Sequence, residues 1–192
     1  MTSLATTATA STPVPIQRRR TRATLLTAAA VAAACALVDL LAPPSSGSHL
    51  STAADYTFTA LLIPFVLVVL AAVAMLHRMQ DGKDGRLGKA GYIAASIALA
   101  AFIPCAVDSL ATGNAQALGP LYILAVLGSA AGLILFAIGS FRARVIPRWA
   151  GPLLPLAWLL GGPVATAAVR GATLILAAAF TLIALAVPDP ES

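Results

Sequence analysis

Long apolar blocks separated by short polar or basic stretches fill the chain from residue 23 to residue 187. Apolar blocks of about 18 residues or more have the length of membrane spans rather than of amphipathic surface helices. Six blocks stand out, at about 23–42, 57–76, 90–110, 121–141, 149–160 and 164–187. A spanning helix needs ~20 residues at ~1.5 Å rise each. Five blocks meet that length, and the fifth falls short. The pattern predicts an all-α fold, a polytopic membrane helix bundle with six transmembrane helices.

Breaks between the blocks carry turn chemistry. The first block stops at Pro43-Pro44 and the last at Pro188. Between the fifth and sixth lies Gly161-Gly162-Pro163, and glycine ends helices while proline begins them. A turn at 161–163 leaves Arg170 inside the sixth span. A turn at Arg170-Gly171 is the alternative, and leaves a last helix of bare spanning length. Residues 1–17 are rich in Thr, Ala, Ser and Pro, have no periodicity, and predict a disordered tail that ends in the basic run Arg18 to Arg22. Residues 188–192 form a second short tail.

Charge orients the bundle. Arg18, Arg19, Arg20 and Arg22 precede the first span. Arg78, Lys83, Arg86 and Lys89 lie between the second and third, and Arg142, Arg144 and Arg148 between the fourth and fifth. With six spans, eleven of the twelve Lys and Arg fall on one side. The positive-inside rule makes that side cytoplasmic and both termini cytoplasmic. Anionic headgroups are the partners expected at these basic loops. The basic run before the first block also has the form of a signal peptide, and Val31 to Cys35 loosely that of a lipoprotein cleavage box. Ala32 in place of a larger aliphatic residue, and an apolar run that continues to Ala42, favour a retained span.

The composition agrees with that picture. The 192 residues are 59% hydrophobic and 10% charged, against ~25% charged in soluble domains. That disfavours a soluble core or a nucleic-acid-binding domain, despite a pI near 9.9. Two cysteines and two histidines, His49 and His77, with no CxxC, make a metal centre a poor reading. Lys83 and Lys89 lack the frame of a phosphate loop. No GxSxG or HExxH motif occurs, and no cofactor is expected.

Cys35-Ala-Leu-Val-Asp39 and Cys105-Ala-Val-Asp108 repeat near the ends of the first and third blocks. With basic residues ahead of each odd-numbered block, the resemblance suggests parallel repeats of helical hairpins, the fifth block having lost both residues. Charged groups inside spans are functional candidates by default. No catalytic set is identified, and Asp39 and Asp108 are the only candidates for one. Both lie close to the outer ends of their spans, where a carboxylate can be solvated. With Arg170 at similar depth, Asp39, Asp108 and Arg170 form a candidate polar cluster in which Arg170 pairs with one aspartate. Cys35 and Cys105 are packing residues or a candidate disulfide. Pro64, Pro104 and Pro155 kink their spans. Gly128 and Gly132 form a GxxxG helix-packing face, toward a helix of this chain or of another. The loop His77 to Lys89 is expected to be a flexible turn, with His77 interfacial.

The stretch Phe141 to Gly151, FRARVIPRWAG, resembles a basic turn between two apolar helices in uncharacterised multi-span membrane proteins of actinobacteria. The resemblance implies a bacterial plasma membrane location and no specific activity. Three functions remain in view. The first is a non-enzymatic subunit or scaffold packed against another membrane protein or a second copy of itself. The second is a small transporter or channel. The third is an intramembrane enzyme, for example a prenyl-chain cyclase, using Asp39 and Asp108 as acid and base.

Overall fold

A computed structural model of the chain describes residues 14–42, 49–115, 118–166 and 168–187. The elements are α1 (Val14–Leu41), α2 (Ala53–Gln80), α3 (Gly85–Ala100), α4 (Phe102–Thr112), α5 (Gly119–Ala143), α6 (Ala150–Gly161), α7 (Pro163–Thr166) and α8 (Thr173–Ala186). Four helical segments are long and apolar enough to cross a membrane: Ile16–Leu41, Ala53–Gln80, Gly85–Thr112 and Gly119–Ala143. Two apolar helices, Ala150–Gly161 and Thr173–Ala186, are shorter.

Several helix ends differ from the sequence expectation. α1 begins at Val14, nine residues before residue 23, so the basic run Arg18 to Arg22 is helical. Arginine is a good helix former, and Thr21 is fully buried with its hydroxyl donating to the Gln17 carbonyl at 2.9 Å. The rest of the expected N-terminal tail, 1–13, and the tail 188–192 lie outside the described residues, as does the Pro43-Pro44 stop. α2 begins at Ala53 because Thr52 and Asp55 form a capping box: each side chain accepts from the other's backbone N–H. α2 and α3 then close around a tight turn of only 81–84, in place of a flexible loop over 77–89.

Proline explains one break. Pro104 has no N–H to give the Ala100 carbonyl, and the rod formed by α3 and α4 is interrupted at Ala101. Pro64 and Pro155 sit inside continuous helices. Both candidate last turns are used. α6 ends at Gly161 and α7 starts at Pro163, and a second turn with Gly171 at φ +71° precedes α8. The expected helix over 164–187 is therefore cut to Thr173–Ala186.

The rods form a ring in chain order. α1 packs on α2, α2 on α3 and α4, α3 on α5, α5 on α6, α6 on α8, and α8 returns to α1. Phe65, Phe102, Phe136, Trp158 and Phe180 fill the buried centre. The closest crossing is α3 with α5. A Cβ at Gly132 would overlap the Ala95 amide, one at Gly91 the Phe136 amide, and one at Gly139 the Gly88 Cα. Hydrogen in place of a side chain lets these backbones touch.

Candidate functional site

Polar chemistry gathers at the two ends of the ring. At the end away from the basic loops, Asp39 occupies the last turn of α1 and is 4% exposed. Its Oδ2 accepts a hydrogen bond from the Gly171 N–H at 2.6 Å. The turn fits there because Gly171 has a left-handed backbone and lies against Leu40, whose side chain would be about 3.0 Å from any added Cβ. Arg170, one residue earlier, is exposed on that turn. Among the described residues no hydrogen bond or ion pair joins the Arg170 side chain to Asp39 or Asp108. The physical reason is local: the Gly171 backbone amide beside Arg170 meets the carboxylate, while Arg170 itself is exposed. Asp108 is half-buried on α4, with α2 packed against both α1 and α4. Its Oδ2 is enclosed and has no hydrogen-bond partner among the described residues. The three charges expected to converge do not form a bonded cluster.

Below Asp39 lies a cavity of about 60 Å³ lined by Cys35, Phe65, Tyr122, Pro163, Thr166 and Thr173, among others. The Thr173 hydroxyl is buried without a hydrogen-bond partner among the described residues, whereas Thr166 donates to the Pro163 carbonyl at 3.0 Å. Cys35 and Cys105 are both buried, and neither is in a disulfide. Gly128 and Gly132 face α3 of the same chain, at Ala98 and Ala95.

The basic end holds polar contacts that the sequence does not announce. His77, in the last turn of α2, lies with Nδ1 2.8 Å from Oδ2 of Asp84. The two atoms lie within ion-pair range, and neither has a hydrogen-bond partner among the described residues. Asp84 is 3% exposed, enclosed where Gly88 leaves no side chain in its way. The imidazole stacks on Tyr92 of α3 with centroids 4.3 Å apart, and meets the edge of Phe136 of α5. One turn further, buried Gln80 donates through Nε2 to Ser140 Oγ, which donates to the Phe136 carbonyl at 2.9 Å. These contacts tie α2, the 81–84 turn, α3 and α5 together. Midway along the ring, Trp158 Nε1 donates to Ser129 Oγ at 2.9 Å, joining α6 to α5.

Only the Thr52–Asp55 box carried a sequence signature, T-x-x-D ahead of an apolar run. The His77–Asp84 and Gln80–Ser140 pairs have none: the first forms only when the 81–84 turn folds back on the end of α2, and the second only when α5 packs beside α2. Among the described residues no three His, Cys, Asp or Glu side chains group in a way that could hold a metal ion. No family model, curated protein or solved structure matches the chain.

Proposed function

We propose that the chain is a multi-pass protein of a bacterial plasma membrane, with six membrane helices, both termini and the basic loops cytoplasmic, and that it works as a non-enzymatic subunit or scaffold. Four apolar segments of spanning length support the membrane reading. So does the basic character of one end of the ring. α8 is short at 14 residues, or about 21 Å, so Arg170 at the turn before it snorkels to the outer interface.

The observation that carries the scaffold reading is the use made of Asp39. A buried carboxylate in an apolar helix is the first place to look for chemistry. Here it is bonded to the backbone of Gly171, a fold-holding role. His77, Asp84, Gln80, Ser140, Ser129 and Trp158 are likewise engaged between helices. What remains outward is a broad apolar surface, including Leu124, Leu127 and Leu160, suited to lipid and to another apolar helix.

The test is a photo-crosslinking residue at Leu127, activated in native membranes. The expected result is one discrete protein adduct, either a second copy or one other membrane protein. Adducts to lipid alone would overturn the scaffold reading.

A second reading, a small transporter, is favoured by one feature. Two interrupted rods, α3–α4 at Ala101 and α6–α7 at Gly162, meet through Phe102 and Trp158 with ring centroids 6.1 Å apart. Interrupted helices of this kind line transporter sites. Solute flux in liposomes carrying the purified protein alone, abolished by filling the adjacent cavity with Thr173→Leu, would support it.

A further inference from the structure

A groove of about 370 Å³ runs between α5 and α6 at the basic end, lined by Ile134, Ala137, Ile138, Phe141, Pro152 and, at its mouth, Arg142. The α5 residues that line it from Ile134 to Phe141 are apolar, over eight residues of helix or about 12 Å. Arg148, from the loop between the two helices, places its guanidinium 5.6 Å from the centre of the Phe141 ring. A cation over an aromatic face is held in place by the ring's electrons. Trp149 beside it is half exposed, the position an indole takes at a membrane interface.

Charge decides what the groove is built for. No Asp or Glu occurs between Asp108 and Asp189. Among the described residues Arg142, Arg144 and Arg148 carry no ion pair. The other basic loop differs, since the 81–84 turn brings its own Asp81 and Asp84. An apolar channel that opens beneath unneutralised guanidiniums matches one molecule in a membrane: an acyl chain with a phosphate at its head.

We propose that the α5–α6 groove is a binding site for one anionic phospholipid, its chain along Ile134, Ile138 and Phe141 and its phosphate held by Arg142 and Arg148. The site requires the chain to lie in a bilayer, as inferred above, but not the assembly proposed there. Arginine suits the task because its planar fork takes two phosphate oxygens at once.

The test uses full-length protein stripped of lipid in an uncharged detergent and titrated with phosphatidylglycerol or phosphatidylcholine of identical chains. Bound lipid is counted by native mass spectrometry. One phosphatidylglycerol is expected to bind at least tenfold more tightly than phosphatidylcholine. Arg142→Gln and Arg148→Gln are each expected to weaken it about fivefold, the effect of one cation near a charged headgroup. Ile138→Trp fills the groove without touching charge and is expected to weaken both lipids. Arg20→Gln with Arg78→Gln, at the separate α1–α2 groove, is expected to keep the preference. Unchanged melting of each variant without lipid shows that the fold is intact. Equal binding of the two lipids, or a preference that survives loss of both Arg142 and Arg148, overturns the proposal. So does displacement by glycerol phosphate, which has the headgroup charge and no chain, or a dimer that Ile138→Trp dissociates. Loss of lipid selectivity with the Leu127 crosslink retained would refute the groove and leave the scaffold reading standing.

Discussion

Asp39 and Gly171, 132 residues apart in sequence, are joined by a hydrogen bond of 2.6 Å between a carboxylate and a backbone amide. This bond fixes the turn before α8 onto the end of α1 and so closes the ring of helices. It also separates two accounts of the same aspartate. In an ion pair with Arg170 the guanidinium would matter. In the observed bond only the backbone of the following residue does. Asp39→Ala leaves the Gly171 N–H without its acceptor, at a cost of about 1–3 kcal/mol. Asp39→Asn keeps an acceptor oxygen and is expected to lose less. Arg170→Ala, at an exposed site, is expected to fall within about 0.5 kcal/mol of wild type. Reversible unfolding in detergent measures all three, and an Arg170 variant as unstable as Asp39→Ala would sink the assignment.

The α3–α5 crossing makes a graded prediction. A Cβ at Gly132 meets the Ala95 amide, which cannot move without its helix, whereas one at Gly128 comes 3.0 Å from the Ala98 methyl. Gly132→Ala is expected to destabilise by about 1–3 kcal/mol, the range for overpacking. Gly128→Ala is expected to cost less than half as much. The comparison is made by thermal melting in one detergent. Equal effects at both sites would mean that the helices do not approach as described.

How much of this was legible in the sequence depends on the kind of contact. The number and order of helical rods follow from apolar blocks, a local property, so four long segments and two shorter ones emerge where the blocks lie. Pro104 marked the weak point of the third rod. The last turn was ambiguous because Gly161-Gly162-Pro163 and Gly171 both end helices, and nothing local excludes using both. The start of α1 was missed because polar Thr and Arg in the run 18–22 look like a tail until Thr21 is seen buried. Asp39 stands out in the sequence as a charged group in an apolar run, but its hydrogen-bond partner is a backbone group, which no side-chain pattern can name.

The cysteines yield a third prediction. Cys35 and Cys105 are 4% and 7% exposed and are not bonded to each other. Thiols so enclosed pack as small hydrophobic groups. In intact membranes a bulky impermeant maleimide is expected to label neither, and both are expected to react after denaturation. Reductant is expected to leave gel mobility unchanged. Rapid labelling of the native protein, or a mobility shift on reduction, would contradict the packing.

The pair at the opposite end supplies the last prediction. His77 Nδ1 and Asp84 Oδ2 lie 2.8 Å apart, an ion-pair contact, and neither has a hydrogen-bond partner among the described residues. Removing the imidazole strands a carboxylate that is 3% exposed. Removing the carboxylate frees an imidazole that is still stacked on Tyr92. The two losses are therefore unequal, His77→Ala costing more than Asp84→Asn. Contacting residues couple by about 0.5–3 kcal/mol in double-mutant cycles. A cycle of His77→Gln, Asp84→Asn and the double variant, followed by unfolding in detergent, is expected to give a coupling of at least about 1 kcal/mol. Tyr92→Leu removes the stacking face but neither atom of the His77–Asp84 contact, so it is expected to weaken the α2–α3 packing and leave most of that coupling in place. Additive effects in the cycle would place His77 in contact with Tyr92 alone, and Asp84 would then be a buried carboxylate without a stabilising partner.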